Sequence, residues 1–278
     1  VIQHSRYTTL SDKNRVQVIA VSPPRGLITD RNGIILAENR PDFSLEIVIE
    51  QAGDLDPLIK ELGELVELDD GDLDRFHKRR QTARRPWEAI PMRARLTEEE
   101  IAKLVVNQHR LPGIRISANP IRHYPHGEAL SHVIGYVNRI NGQDLEAMTL
   151  DEQRDYAGTH FYGRSGVERF YENRLHGKVG YRQVETNARG RILRVLEEQP
   201  PTPGEDLRLR ISMRVQQAAN KALGDRRGAV VAIDPRDGSV LAFVSKPGFD
   251  PNLFVTGISH KDYSCLLYTS PSPRDRTR

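Results

Sequence analysis

The chain has 278 residues, of which 37% are hydrophobic and 28% charged, and its formal net charge is +3. This is the balance of a globular protein, and the length predicts about two domains. The small positive excess excludes no class by itself but does not predict nucleic-acid binding, which needs a clustered basic face. The sequence contains no run of about 18 apolar residues that would predict a membrane span, and its single cysteine, Cys265, excludes an intrachain disulfide.

Residues 1–49 are predicted to form strands and a hairpin. A polar segment ends at two prolines, and two apolar runs then flank the turn sequence Asp30-Arg31-Asn32-Gly33, in which Asn-Gly favours a tight hairpin. The chain begins with Val1 instead of Met, and we therefore expect that further sequence precedes it.

Residues 50–117 differ in character and are predicted to form an α/β head lobe. Asp56 is a candidate N-cap, with Pro57 in the first position of the helix that follows. Further along, Thr97 and Glu100 have the spacing of a capping box in front of another apolar helix.

A basic stretch in this lobe ends at a tryptophan. It contains Arg84 and Arg85 and is followed by Trp87. The basic residues are typical of a solvated helix end, although contact with anionic lipid or acidic glycan stays open. Trp87 fits an exposed anchor for a protein partner as well as it fits the core of the lobe. These three residues are the candidate partner-docking residues.

Residues 118–206 are predicted to return the chain to the first segment. Ser165 and Glu168 have the spacing of a capping box, and residues 180–196 read as a basic β-ribbon. Residues 198–204 contain three prolines and are the best candidate for a linker.

Residues 207–264 predict the opening of a second α/β domain. A strand is followed by Ser212, which can cap a helix over residues 213–223, and then by two apolar strands, 229–234 and 240–245. Because a sheet of so few strands makes a poor core, the sequence predicts that this domain is truncated.

The sequence shows no catalytic constellation. It has no Ser-x-x-Lys, Gly-x-Ser-x-Gly, His-Glu-x-x-His, Gly-x-Gly-x-x-Gly or P-loop pattern. A Ser-x-Asn tripeptide at 117–119 is interpreted as a loop. His123, His126 and His132 are close together, but the Tyr-Pro pair after the first forces extended backbone and no carboxylate or thiolate recurs at ligand spacing. We therefore predict no catalytic residue, cofactor or metal site.

Several strings, taken together and in this order, resemble the N-terminal motifs and the transpeptidase start of class B penicillin-binding proteins. They are PRGLITDRNG at 24–33, RHYPHG at 122–127 with HVIGYV at 132–137, GRSGVE at 163–168, and GAVVAIDP at 228–235 with FDPN at 249–252. Residues 253–264 are similar to the rod-elongation branch of the family. From about Cys265 the similarity stops, and residues 265–278 are interpreted as a non-native tail.

The resemblance implies an α+β fold: an elongated non-catalytic pedestal of the dimerisation type, followed by the truncated start of an α/β penicillin-binding transpeptidase domain. It implies a serine D,D-transpeptidase that cross-links peptidoglycan through an acyl-enzyme and needs no cofactor. Its Ser-x-x-Lys would lie beyond residues 261–263, so the chain as written is predicted to be inactive. The alternative is a non-catalytic periplasmic docking module for elongation-complex partners.

The family also implies a location and partners. A single N-terminal anchor, expected upstream of this chain, would hold the protein on the periplasmic side of the bacterial inner membrane. The implied partners are stem peptides and β-lactams for the full-length protein, a SEDS-type glycan polymerase, and the rod scaffold protein MreC, with no nucleic acid.

By resemblance, the three pedestal motifs are expected to hold the pedestal against the catalytic domain through a polar network. The expected polar members of this network are Arg25, Asp30, Arg31, Arg122, Tyr124 and Glu168. The expected backbone positions are Gly26, Gly33, Pro125, Gly127, Gly163 and Gly166. The physical reason is that buried arginine needs an acidic partner and offers a planar fork, while glycine allows positive φ or close approach of backbones.

Overall fold

The computed structural model describes residues 16–82, 89–159, 161–186 and 192–255, together with the single residues 258, 264 and 266. The chain divides into two compact units, one of residues 1–39 and 122–278 and one of residues 40–121. The predicted head lobe, residues 50–117, lies inside the second unit.

Strands and helices follow one another along the chain. The strands are β1 (Val16–Val21), β2 (Ile28–Thr29), β3 (Ile35–Val48), β4 (Ala89–Arg93), β5 (Ile114–His123), β6 (Val137–Arg139), β7 (Phe161–Gly163), β8 (Gly180–Thr186), β9 (Ile192–Gln199), β10 (Leu207–Arg208), β11 (Gly228–Ile233) and β12 (Val240–Lys246). The helices are α1 (Ile49–Ala52), α2 (Leu55–Leu65), α3 (Asp70–Thr82), α4 (Glu98–Asn107), α5 (Ser131–Ile134), α6 (Gly142–Ala147), α7 (Leu150–Asp155), α8 (Gly166–Phe170), α9 (Glu172–Leu175), α10 (Met213–Leu223) and α11 (Asn252–Val255). This mixture confirms the expected α+β class.

The unit of residues 40–121 has a hydrophobic core of its own. The end of β3 pairs antiparallel with β4, and helices α2 and α4 contribute apolar side chains on one face. The completely buried members of the core are Leu45, Ile47, Leu62, Phe76 and Leu104.

Two predicted helix caps in this unit have different outcomes. The capping box of Thr97 and Glu100 is confirmed, with both reciprocal hydrogen bonds present. The predicted cap at Asp56 is wrong, because Asp54 occupies the N-cap and its carboxylate accepts from the Asp56 amide at 3.3 Å. A helix that begins two residues earlier also buries Leu55 in the core.

The other unit contains several small sheets. β8 lies between β1 and β9, antiparallel to both, and β2 lies between β3 and the parallel strand β10. β11 and β12 form the predicted hairpin, and α10 packs on it. The hairpin predicted around Asn32-Gly33 is also present, since β2 and the start of β3 flank that turn.

The segment predicted as a linker, residues 198–204, is bonded to its surroundings. β9 continues to Gln199, Thr202 and Lys178 exchange two backbone hydrogen bonds of 2.9 Å, and Gly204 donates to the Pro24 carbonyl at 2.9 Å. The three prolines have no N–H to donate, but Thr202 and Gly204 do, and both donate here. This segment therefore packs as part of the unit and is not a free tether. In the described ranges, every helix is too short or too polar to cross a bilayer.

Candidate functional site

Glu168 is the centre of a buried charge network. It lies on the short helix α8 and its side chain is completely inaccessible to solvent. One carboxylate oxygen accepts from Arg122 Nε at 2.7 Å and from the Tyr124 hydroxyl at 3.3 Å, and the other accepts from Arg25 Nε at 2.8 Å. The structure thus brings together four of the six predicted polar residues, although they come from three separate motifs.

Arg25 is shared with a second carboxylate. Its two terminal nitrogens donate to Glu172 at 2.6 and 3.1 Å, which is the bidentate geometry that makes arginine–carboxylate pairs strong. Glu172 also accepts from the Tyr156 hydroxyl at 2.9 Å and from the Gly163 amide at 3.0 Å. Glu172 was missed from the sequence, although its spacing of four residues from Glu168 is a signal that both face the same way.

Arg122 connects the network to the backbone of the first motif. One of its terminal nitrogens donates to the Gly26 carbonyl at 2.8 Å and to the Asn39 side chain at 3.2 Å. Two guanidinium groups and two carboxylates therefore share one buried region, and their formal charges cancel. Such a cluster is stable only when each charge has its partners, because an uncompensated buried charge costs several kcal/mol.

The charges keep one another ionised. Burial alone would raise the pKa of Glu168, but the positive charges of Arg122 and Arg25 hold it below its ordinary value. Burial likewise opposes the charge of Arg25, yet Glu168 and Glu172 raise its pKa above the usual range. Burial, followed by the charge of Glu168, raises the pKa of Tyr124 well above its ordinary value, so its hydroxyl stays protonated and can donate.

Glu168 does not form the capping box that its spacing from Ser165 predicts. The Ser165 side chain makes no capping hydrogen bond at the start of α8. The prediction is wrong because Arg122, Arg25 and Tyr124 occupy the carboxylate that the box would need.

Asp30 and Arg31 lie outside this network, so their predicted membership is a further correction. The Asp30 carboxylate accepts from three backbone amides, those of Asn32, Ile34 and Met213, at 2.6, 2.9 and 3.0 Å. Burial opposes its ionisation, but these amides hold the pKa of Asp30 below its ordinary value. A carboxylate satisfied in this way needs no arginine.

Arg31 contacts the chain through its backbone. Its amide donates to the Ile211 carbonyl at 2.9 Å, and its carbonyl accepts from the Arg208 side chain. Arg31 also lines a cavity together with Arg208, Leu209 and Arg210.

The predicted glycine positions fall into two groups. A Cβ on Gly26 would lie 2.0 Å from the Glu205 carbonyl oxygen, and one on Gly163 would lie 2.4 Å from that of Glu168, so neither position has room for a side chain. Gly33, Gly127 and Gly166 have positive φ angles of 88°, 48° and 60°, which favour glycine.

Pro125 and the three candidate docking residues remain of the positions predicted from the sequence. Pro125 lies in the turn that Gly127 closes by donating to the Tyr124 carbonyl at 3.2 Å. The candidate docking residues Trp87, Arg84 and Arg85 lie outside the described residues.

The arrangement can hold segments together, and its carboxylates are occupied by arginine, tyrosine hydroxyl and backbone amide donors. Within the described ranges, no group of three or more His, Cys, Asp or Glu side chains is arranged to hold a metal ion. Of the three histidines considered from the sequence, His132 Nε2 lies 2.9 Å from the Pro247 carbonyl, and His123 Nδ1 lies 3.3 Å from Glu38.

Comparison with known proteins finds similarity to penicillin-binding proteins along most of the chain. Residues 20–209 match the family model "Penicillin-binding Protein dimerisation domain". The chain is 44% identical over 274 residues to the peptidoglycan D,D-transpeptidase MrdA of Escherichia coli K12, covering 98% of the chain and 43% of the relative. It is 46% identical over 266 residues to MrdA of Acinetobacter baumannii, covering 96% of the chain and 39% of the relative.

Solved structures of PBP2 are also similar to this chain. The chain is similar to Pseudomonas aeruginosa PBP2 in complex with WCK 5153, with a TM-score of 0.55, 33% identity, and coverage of 94% of this chain and 36% of that one. It is also similar to the complex of PBP2 and MreC from Helicobacter pylori, with a TM-score of 0.70, 28% identity, and coverage of 93% and 48%. The chain spans about two fifths of the length of the MrdA relatives, at 43% and 39%. The expected resemblance is confirmed by these MrdA and PBP2 matches, and the chain belongs to the penicillin-binding protein family that carries the dimerisation domain.

Proposed function

We propose that this chain is the supporting part of a peptidoglycan D,D-transpeptidase of the MrdA type, which cross-links the cell wall during elongation and maintains rod shape. The observation that carries the proposal is the match of residues 20–209 to the dimerisation domain, within which the Glu168 network joins the three motif segments. The names of the relatives support the reaction.

In this proposal the chain positions a serine of the transpeptidase domain and takes no part in the covalent chemistry itself. The serine would attack a stem-peptide carbonyl, and a β-lactam would acylate the same hydroxyl. None of the serines in the 278 residues is followed three positions later by lysine. We therefore propose that the chain as given forms no acyl-enzyme.

A fluorescent penicillin tests this directly. Incubation of the chain should give no labelled band on a denaturing gel, whereas a full-length penicillin-binding protein run beside it should be labelled. A covalent adduct on any serine of this chain, located by mass spectrometry, would contradict the proposal.

The alternative function, a docking module for elongation partners, has support from the Helicobacter pylori structure in which PBP2 is bound to MreC. We propose MreC as a partner of this chain as well, with the unit of residues 40–121 as the docking region. In the described part of that unit, Val105 and Val106 near the end of α4 are large apolar residues with exposed fractions of 54% and 72%. A neighbouring pair of exposed apolar side chains offers a protein partner a surface that binding would remove from water.

A matched pair of substitutions tests the docking region. Val106→Asp should weaken binding of the cognate MreC in a pull-down by about tenfold or more, because it introduces a charge where apolar contact is expected. Leu150→Asp is the control, since Leu150 is 74% exposed but belongs to the other unit. Equal binding by both variants, or equal loss, would contradict a docking site on α4.

We further propose that the protein acts on the periplasmic side of the bacterial inner membrane, beside a SEDS-type glycan polymerase. The motivation is chemical: the relatives are named peptidoglycan D,D-transpeptidases, and such an enzyme has to work where peptidoglycan is. Antiserum raised against the chain should detect a membrane-fraction protein that protease degrades in spheroplasts. Protection until the spheroplasts are lysed would contradict it.

A further inference from the structure

Three arginines line one cavity beside β10. The segment LRLRI at residues 207–211 alternates apolar and basic side chains. Its first and last residues are buried, whereas Arg208 and Arg210 are exposed, so both arginines leave the same side of the extended backbone. Together with Arg31 and Leu209, they line a cavity of about 450 Å³.

Backbone hydrogen bonds hold Arg31 beside the other two arginines. The Leu209 amide donates to the Thr29 carbonyl at 2.8 Å, and the Arg31 amide donates to the Ile211 carbonyl at 2.9 Å. These bonds continue the parallel pairing of β2 with β10 beyond the ends of both strands. The backbone positions of the three arginines are therefore fixed relative to one another by paired chain.

Arg208 is also oriented through its side chain. Its guanidinium donates to the Arg31 carbonyl through Nε at 3.1 Å and through one terminal nitrogen. The other terminal nitrogen, Nη1, forms no hydrogen bond with a described residue. A guanidinium that is already held in one orientation loses less conformational entropy when it binds an anion.

The acidic side chains near the cavity have partners of their own. Asp234 pairs with Arg236 at 2.8 Å. Asp237 accepts from the Ser239 hydroxyl at 2.7 Å, and Asp30 accepts from three backbone amides. Asp234 and Asp237 also attract two of the cavity arginines, but only from a distance.

The cavity arginines are thus left without a carboxylate that pairs with them. Among the described residues, the side chains of Arg31 and Arg210 form no hydrogen bond or ion pair, and Arg208 bonds only to a carbonyl. Like charges that line one cavity repel one another, and an anion placed between them removes that repulsion. Arginine presents a planar fork of N–H donors, which fits the oxygens of an oxyanion.

We propose that Arg31, Arg208 and Arg210 form a binding site for a phosphate group. A phosphate carries up to two negative charges near neutral pH and has several acceptor oxygens, so it can bind more than one guanidinium at once. Free inorganic phosphate and the headgroup of an anionic phospholipid both present such oxygens. The inference does not depend on the proposed transpeptidase function.

Two binding measurements on the whole chain separate these sources. Isothermal titration calorimetry with inorganic phosphate at low salt tests the free anion. Cosedimentation with phosphatidylcholine vesicles that contain phosphatidic acid tests the lipid, against vesicles of phosphatidylcholine alone. Arg210→Gln removes one guanidinium but no hydrogen bond to a described residue. It should weaken binding by about tenfold or more, because charge-assisted hydrogen bonds to the phosphate are lost.

Arg154→Gln is the matched control, since it removes the same charge from the same unit at a side chain that is 76% exposed. Binding in either measurement that Arg210→Gln weakens and Arg154→Gln does not supports the site, and the measurement that responds identifies the source. The proposal is overturned if the unchanged chain binds neither probe, if Arg210→Gln leaves binding unchanged, or if both substitutions weaken it equally. If circular dichroism shows that Arg210→Gln does not fold, Arg31→Gln decides by the same outcomes.

Discussion

The unit of residues 40–121 and the region around Glu168 are stabilised by different means. In the first, Leu45, Leu62 and Phe76 are completely buried among other apolar side chains. In the second, the Glu168 carboxylate is just as inaccessible, and the side chains of Arg122 and Arg25 around it are only 2% and 11% exposed. An apolar core accepts changes of shape at moderate cost, whereas a buried charge is tolerated only while its partner is present. Single substitutions should therefore be more damaging in the charge network than their size suggests.

The largest expected effect is that of Glu168→Gln. It keeps the shape of the side chain but leaves Arg122 and Arg25 with one carboxylate fewer, so the free energy of unfolding should fall by about 3–5 kcal/mol. Urea denaturation followed by circular dichroism measures this. The control is Glu198→Gln, which breaks an exposed pair with Arg182 and should cost less than about 1 kcal/mol. Equal losses of unfolding free energy for the two substitutions would contradict the expected difference between the buried charge network and an exposed ion pair.

Leu62→Ala tests the apolar core of the unit of residues 40–121. Removing a completely buried leucine should lower the free energy of unfolding of its unit by about 2–5 kcal/mol, according to how far the cavity collapses. The matched control is Val106→Ala on the exposed end of α4, expected to change stability by no more than about 0.5 kcal/mol. A loss below about 1 kcal/mol for Leu62→Ala would contradict the assignment of this core.

Acid should act on the charge network in a defined direction. The folded pKa of Glu168 lies below its ordinary value of 4.5, so the carboxylate contributes stability above that pH and loses it as the pH falls through the lower, folded pKa. Urea midpoints measured from pH 7 down to pH 3 should fall less steeply in Glu168→Gln than in the unchanged chain. Parallel curves would show that Glu168 contributes nothing to the acid sensitivity.

The smallest effect is expected from the helix cap at Thr97. Thr97→Ala removes one half of the capping box of α4 and should cost about 1 kcal/mol. The same substitution at Ser165 should cost less, because the Ser165 side chain makes no capping bond. Thermal unfolding of the pair compares them, and a larger loss at Ser165 would contradict the description of α8.

These two caps also show how far the sequence could predict the fold. Thr97 and Ser165 start the same three-residue spacing to a glutamate, and only the first forms the box. The hairpins and the ribbon of β8 and β9 were predictable because turn residues and alternation are local signals. The role of Asp30 was not, because a partner such as the Met213 amide is brought near only by the folded chain. For Glu172 the spacing from Glu168 was a local signal, but its partner Arg25 is distant in the sequence and could not be identified from it.

The parallel pairing of β2 with β10 has a consequence for how the protein is made. Leu207 lies beside Ile28, so two strands near opposite ends of the family match become neighbours only after the residues between them have left the ribosome. Contacts of such long range form late, because the loop they close is costly in entropy. The nested unit of residues 40–121 keeps its own core within a short stretch of chain, so it can fold first and shorten that loop while synthesis continues.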